Sequence, residues 1–225
     1  MGDAMGVRIH AMDFIHQNID NLEDNLKILV MGNQYIKGSG IDYITENYDY
    51  DMNNFTYVNG QIIAKEYFTA LGYQHTAIDL NGKEGSIQFD LRKPIAKSNR
   101  ADFIDSFDVM IDIGNSEHVD NQYMNFKNLH DVCKVESTFI YVLPKEGHWK
   151  GHCKYKYNLD FFKKLAEVNG YEILMLEERN ERDICCSMKK KTSDEFMSED
   201  EFKKLPLIIE SGNKFNDRTL YPYAY

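Results

Sequence analysis

Apolar positions along the chain follow two alternating patterns. Short unbroken apolar runs mark buried strands, and runs spaced by three and four mark amphipathic helices. The run LKILVMG at 26–32 ends on a glycine, as a buried parallel strand would. Further strands are predicted at 75–82, at 86–94 where Pro94 ends the run, at 107–113 and at 138–144. Helical spacing of Phe14, Ile15, Ile19 and Leu22 predicts a helix over 11–23. Others are predicted over 61–71 before Gly72, over 119–134, and over 159–168 before Asn169 and Gly170. Two last strands, 171–178 and 182–190, flank the tight turn Arg179-Asn180-Glu181. Ser198 and Glu201 have the spacing of a capping box.

Such alternation predicts an α/β chain, with a doubly wound, mainly parallel sheet of about seven strands and an antiparallel C-terminal hairpin. One domain is expected over 1–190, with an extension over 191–225. Residues 38–60, rich in Gly, Asn, Asp and Tyr, interrupt the rhythm and predict an ordered loop or helical insertion. The Tyr-rich tail 211–225 carries no assignable pattern.

Composition narrows the possible partners. Apolar residues make up 43% of the 225, enough for a packed core. Lys and Arg total 26 against 36 Asp and Glu, a net charge of −10 that disfavours phosphate backbones. Nucleic acid is therefore a poor substrate class; Lys189 to Lys191 read as a solvated strand end. The four cysteines include no CxxC pair, and the adjacent Cys185 and Cys186 point to opposite strand faces. They read as small core and surface residues in a reducing compartment. The start lacks an apolar leader, and no run reaches the ~18 apolar residues of a membrane span. A soluble, cytoplasmic protein is expected.

Candidate chemistry gathers at the predicted strand ends, where ligands of doubly wound sheets bind. The first ends in Gly32-Asn33-Gln34, the second in Asp79-Leu80 and the third in Asp90-Leu91. The fourth ends in Ile113-Gly114, followed at once by Asn115, Ser116, Glu117 and His118. Glycine admits close approach of a ligand, and a carboxylate can accept both hydroxyls of a ribose. Turn chemistry explains any one of these ends, but less readily the ordered series.

That series resembles the class I, Rossmann-like S-adenosylmethionine-dependent methyltransferases, over about 25–190. LKILVMGNQ stands at the family's first glycine motif. IDLNG supplies Asp79 as the ribose-binding acid, FDLRKP supplies Asp90 on the adenine side, and FDVMIDIGNSEHV matches the motif that faces the methyl group. The resemblance implies S-adenosylmethionine as cofactor, held by Gly32, Asn33, Gln34, Asp79, Leu80, Asp90, Leu91, Ile113 and Gly114. Two departures stand out. Gly32 has no neighbouring glycine before Gly38 and Gly40, so the loop Asn33 to Lys37 has to pass the cofactor's methionine part with side chains present, with Gln34 placed to contact the cofactor. The interval from Gly32 to Asp79 also exceeds the usual ~20–30 residues, and the excess matches the insertion.

Methyl transfer to oxygen needs an aligned acceptor and a proton acceptor. His118 and Glu117 are candidates; Glu117 is equally suited to favouring a helix start at Val119. The loop KEGHWKGHCKYKYN at 145–158 offers His152 as a second acid–base group and His148 and Trp149 as substrate contacts. Asn115 and Tyr43 are further substrate-side candidates, with Tyr43, Tyr48, Tyr50, Phe55 and Tyr57 offering stacking faces for a lid. His148, His152 and Cys153 suggest a metal, but Gly147 and Gly151 predict a loop and no further ligand set is evident. No metal is therefore expected. The acceptor expected is a small polar molecule, such as a sugar or sugar-linked metabolite, methylated on a hydroxyl or amine. Alternatives are a catalytically inactive methyltransferase-like binding subunit and a nucleic-acid or protein methyltransferase. Tyr123 and Lys127 form a YxxxK, which leaves an NAD(P)-dependent dehydrogenase as a further alternative, although no GxGxxG is present.

Overall fold

The structure, a computed structural model, describes residues 6–23 and 25–210; the tail 211–225 lies outside the described residues. The main sheet has seven strands: β1 (Lys27–Met31), β2 (Gln74–Asp79), β3 (Ile87–Gln88), β4 (Phe107–Ile113), β5 (Cys133–Pro144), β6 (Tyr171–Arg179) and β7 (Asp183–Lys190). Their order across the sheet is β3-β2-β1-β4-β5-β7-β6. The first five pair in parallel, and β7 runs antiparallel to both β5 and β6. The expected doubly wound sheet and closing hairpin are both present. Asn180 and Glu181 adopt left-handed φ of 50° and 58°, the geometry a tight hairpin demands.

Alternation along β1 sends Leu29 and Met31 to one apolar cluster and Ile28 and Val30 to the other. Helices α4 (Gln122–Val132) and α5 (Leu159–Asn169) cover the first face through Phe126, Leu129, Phe161 and Phe162. The second face is covered by α1 (Ile9–Ile19), α2 (Gly38–Asn47) and α3 (Ala64–Ala70), through Phe14, Ile15, Ile44, Tyr67 and Phe68. With both faces covered, Cys185 and Cys186 are each buried, on opposite sides; neither is the surface residue expected. Gly170, at φ 65°, ends α5 as its sequence position predicts.

Two elements differ from their expected extents. The third strand is only Ile87–Gln88, because Asp90 turns the chain: its carboxylate accepts the Arg92 backbone N–H and both arms of its guanidinium. The helix expected over 61–71 starts at Ala64, since Gln61–Ile63 pairs antiparallel with Tyr35–Ile36 and Tyr57–Val58. The insertion holds α2, a 3-10 turn at Met52–Asn54 and the strand Tyr57–Val58. The capping box forms, with Ser198 opening the short helix Glu199–Phe202. Lys190 is buried and donates to the His130 and Cys133 carbonyls, while Lys189 and Lys191 pair with Glu136. Among the described residues no helix is long and apolar enough to cross a membrane.

Candidate active site

The strand order reverses between β1 and β4, and their carboxyl ends open the crevice where doubly wound sheets place ligands. Gly32 leaves β1 at φ +75°, and a Cβ there would lie 3.1 Å from Asn115 Oδ1. The backbone conformation calls for glycine, and a side chain there would also press on Asn115 of the β4 loop. The next residue donates its backbone N–H to Asp79 Oδ2 at 2.9 Å, and Asp79 Oδ1 accepts from the Asn81 N–H at 2.9 Å. Gly32, Asn33 and Asp79 are therefore one connected unit at the β1 and β2 ends. Asn33 Nδ2 also donates to the Lys83 carbonyl at 2.5 Å.

The side chain of Gln34 lies back across the crevice. Its Nε2 donates to the Met31 carbonyl at 3.2 Å and the Ile113 carbonyl at 3.0 Å, bracing the ends of β1 and β4. Its Oε1 is buried without a hydrogen-bond partner. Beside it lies a cavity of about 10 Å³, lined in part by Gly32, Asn33, Gln34 and His75. A larger cavity of about 670 Å³ shares Ile63, Lys65 and Glu84 with it and takes in Tyr50 and Phe55 of the insertion. Asp90 sits 2.8 and 2.9 Å from the Arg92 guanidinium, which holds its carboxyl below the usual range. Leu91 is buried and Leu80 half-buried.

Beyond β4 the buried polar groups are denser. Asp112, inside the apolar run, is wholly buried and escaped the sequence reading. Its carboxylate accepts the Asn115 N–H at 3.1 Å, the Ser116 N–H at 3.3 Å and the Ser116 hydroxyl. Burial pushes its carboxyl up to about 6 despite these bonds. Asn125 Nδ2 donates to Ser116 Oγ, Gln122 Nε2 to the Ser116 carbonyl, and the buried Tyr157 hydroxyl to Gln122 Oε1. This network fixes the 3-10 turn Ser116–His118 and thereby aims Glu117 and His118.

Glu117 is 0% exposed, and neither carboxylate oxygen has a hydrogen-bond partner. Burial, then the nearby Asp112 charge, raises its carboxyl well above the ordinary value. His118 Nε2 is 3.6 Å from Glu117 Oε1. His152 reaches the same point from the loop after β5: its ring centroid is 5.2 Å from that of His118. Burial, and then Lys156, lowers the His152 imidazole, so it is neutral near pH 7. Trp149, at φ 53°, packs its ring tilted at 45° with its centroid 5.2 Å from that of His152, and donates Nε1–H to Asp183 Oδ1 and the Arg182 carbonyl. The hairpin β6–β7 thus anchors the loop carrying His152.

Sequence candidates Glu117, His118, His152 and Trp149 converge, although the chain separates the first pair from the second. His148 lies half-buried in the same loop, its backbone N–H donating to the Lys145 carbonyl. Tyr43 goes elsewhere: its ring packs near His16 and Tyr48. In the YxxxK pair, Tyr123 packs on Phe196 and Phe202, and Lys127 pairs with Asp131 at 2.8 Å.

No protein-family model and no curated protein matches the chain. Solved structures do match it. The chain is similar to the CMeT domain of the citrinin polyketide synthase, at TM-score 0.50 and 14% identity over 80% of this chain and 51% of that one. It is similar at TM-score 0.50 and 10% identity to Haemonchus contortus phosphoethanolamine N-methyltransferase 2, solved with S-adenosyl-L-methionine, over 81% of this chain and 53% of that one. A third match is the Burkholderia thailandensis 1,6-didemethyltoxoflavin-N1-methyltransferase, at TM-score 0.49 and 14% identity over 81% and 77%. The chain spans about half the length of the first two. At these identities the likeness concerns architecture, and the chain has the class I, Rossmann-like methyltransferase fold.

Proposed function

We propose that the chain binds S-adenosylmethionine at the β1 and β2 ends and transfers its methyl group to a hydroxyl or amine of a small polar acceptor. A sugar or sugar-linked metabolite is the acceptor class its acidic surface favours. The observation that carries this reading is the Gly32–Asn33–Asp79 unit facing the β4 loop, in a sheet whose order reverses there.

The residues present fit the cofactor's ribose. Asp79 uses one lone-pair site on each oxygen for a backbone N–H, which leaves capacity for two hydroxyl donors, and it is only half-buried. The methionine end carries an amine, and the Met31 and Ile113 carbonyls are natural acceptors for it; Gln34 Nε2 holds both. Binding then requires the Gln34 side chain to swing out, which also frees its unpartnered Oε1 to meet a donor. When bound, the cofactor supplies an electrophilic sulfonium methyl. The chain's own residues supply orientation and proton acceptance: a neutral His152, with His118 beside it, suits general-base work near pH 7. Trp149, His148 and Asn115 border the acceptor side, and Tyr50 and Phe55 place the insertion at the larger cavity. A lid role for Tyr43 has no support in its packing against His16.

Calorimetric titration with S-adenosylmethionine and S-adenosylhomocysteine, with NAD and NADP as controls, tests the reading. Micromolar binding of the sulfur ligands is expected, weakened ~10–100-fold in Asp79→Ala through loss of charged hydrogen bonds. Binding of NAD instead, or of none of the four, refutes it. A second reading, a binding subunit without turnover, draws on the Gln34 brace. Tight S-adenosylhomocysteine binding without methyl transfer to any acceptor would favour it.

A further inference from the structure

We propose that Glu117, His118 and His152 form a binding site for one divalent transition-metal ion on the acceptor side of the crevice. Their ligand atoms all lie within 4.8 Å of one another. A wholly buried carboxylate whose two oxygens have no hydrogen-bond partner is costly to keep, because its desolvation is poorly offset. His152 Nε2 is likewise buried with no hydrogen-bond partner. A cation at this point would satisfy all of these groups together.

The donor set also selects the kind of ion. Two imidazoles and one carboxylate suit Zn²⁺, Fe²⁺ or Mn²⁺ better than the all-oxygen preference of Mg²⁺ or Ca²⁺. A tetrahedral ion about 2.1 Å from each ligand needs donors about 3.4 Å apart. Glu117 Oε1 and His118 Nε2, at 3.6 Å, nearly meet this, so an inward shift of His152 by roughly 1 Å completes the set. His152 lies on a loop with left-handed turns at Gly147, Trp149 and Gly151, whereas the network beneath Ser116 holds the other two ligands. Three protein ligands leave a coordination position open. On the methyl-transfer reading, an oxygen of the acceptor takes that position and the metal lowers its pKa so that its proton passes to solvent water; His118 and His152 then serve as ligands in place of the general-base role they have in the metal-free chain. This departs from the sequence expectation of no metal, which weighed the 145–158 loop without the turn after β4.

The full chain, stripped with a chelator and dialysed, would be titrated calorimetrically with ZnCl₂, MnCl₂ and MgCl₂. One equivalent of Zn²⁺ or Mn²⁺ per chain is expected, at least ~100-fold tighter than Mg²⁺, with affinity falling at least ~100-fold in Glu117→Gln and ~10-fold or more in His152→Asn. Co²⁺ loaded into the wild-type chain should give ligand-field absorption without thiolate charge transfer, a readout that needs no variant to fold. Absence of stoichiometric metal, unchanged affinity in a folded Glu117→Gln, or a thiolate band from Cys153 would overturn the assignment. None of these readouts requires S-adenosylmethionine, so failure of the methyl-transfer reading leaves them interpretable.

Discussion

Two histidine groups of this fold, one around His16 and one around Glu117, have opposite character. Around His16, on the α1 face, each ring nitrogen is matched. Nδ1 lies 2.6 Å from both Asp20 Oδ1 and the Tyr48 hydroxyl, and Nε2 lies 2.8 Å from the Tyr67 hydroxyl. Tyr43, Tyr48 and Tyr67 rings surround it. Around Glu117 the carboxylate oxygens and His152 Nε2 are bare. His16 and Glu117 are each as buried as the core. What separates them is unspent hydrogen-bonding capacity, which a protein tolerates where a ligand will use it.

The largest effect that can break this contrast is on turnover. Glu117→Gln is expected to cut methyl transfer by ~10²–10⁴-fold, while thermal unfolding is no lower than that of the wild type. Assays with S-adenosylmethionine and a panel of polar acceptors, run beside circular dichroism, check both halves. Equal turnover in variant and wild type would make Glu117 a packing residue.

Next in size is a pH signature. Asp112 has its folded-state carboxyl raised from 3.8 to about 6, so the folded chain prefers the proton. Its contribution is complete below pH ~4 and is lost as pH rises through 6, about 3 kcal/mol in all. Asp112→Asn removes that slope. The unfolding free energy of the wild type minus that of the variant should therefore fall between pH 4 and 6, measured by urea titration. Histidines with lowered values act with the opposite sign. His130, brought down to about 4, contributes stability that is present above pH 6.5 and is lost as pH falls towards 4. A difference that is flat across pH 4–6 would remove the burial argument for Asp112.

The smallest effect sharpens the satisfied side. His16→Phe keeps the ring volume but strands the Tyr67 hydroxyl, and is expected to cost about 2 kcal/mol of stability. Binding of S-adenosylhomocysteine should be unchanged. A loss of binding at constant stability would move His16 into the site and erase the contrast.

Much of the fold was legible because burial on both faces writes unbroken apolar runs into strands. The fourth strand, 107–113, coincides with its apolar run, and the stop of α5 at Asn169-Gly170 is carried by chemistry a sequence displays. Three-residue strands such as Gln61–Ile63 have too little length to show a period, and the third strand is shorter than its run because Asp90 turns the chain through a side-chain bond to Arg92. The site was legible by parts. His118 and His152 stood out singly, but their meeting depends on the β5 loop folding over the β4 turn. Asp112 was hidden because one acid inside an apolar run reads as part of the strand.

The central claim is that the crevice at Gly32 and Asp79 receives S-adenosylmethionine, and a crystal structure of the chain with S-adenosylhomocysteine tests it most directly. The account predicts ribose hydroxyls on the Asp79 carboxylate and the Gln34 amide lifted from the Met31 and Ile113 carbonyls. Crystals grown in saturating ligand that leave Gln34 in place, with the ligand absent or bound away from Asp79, would contradict it.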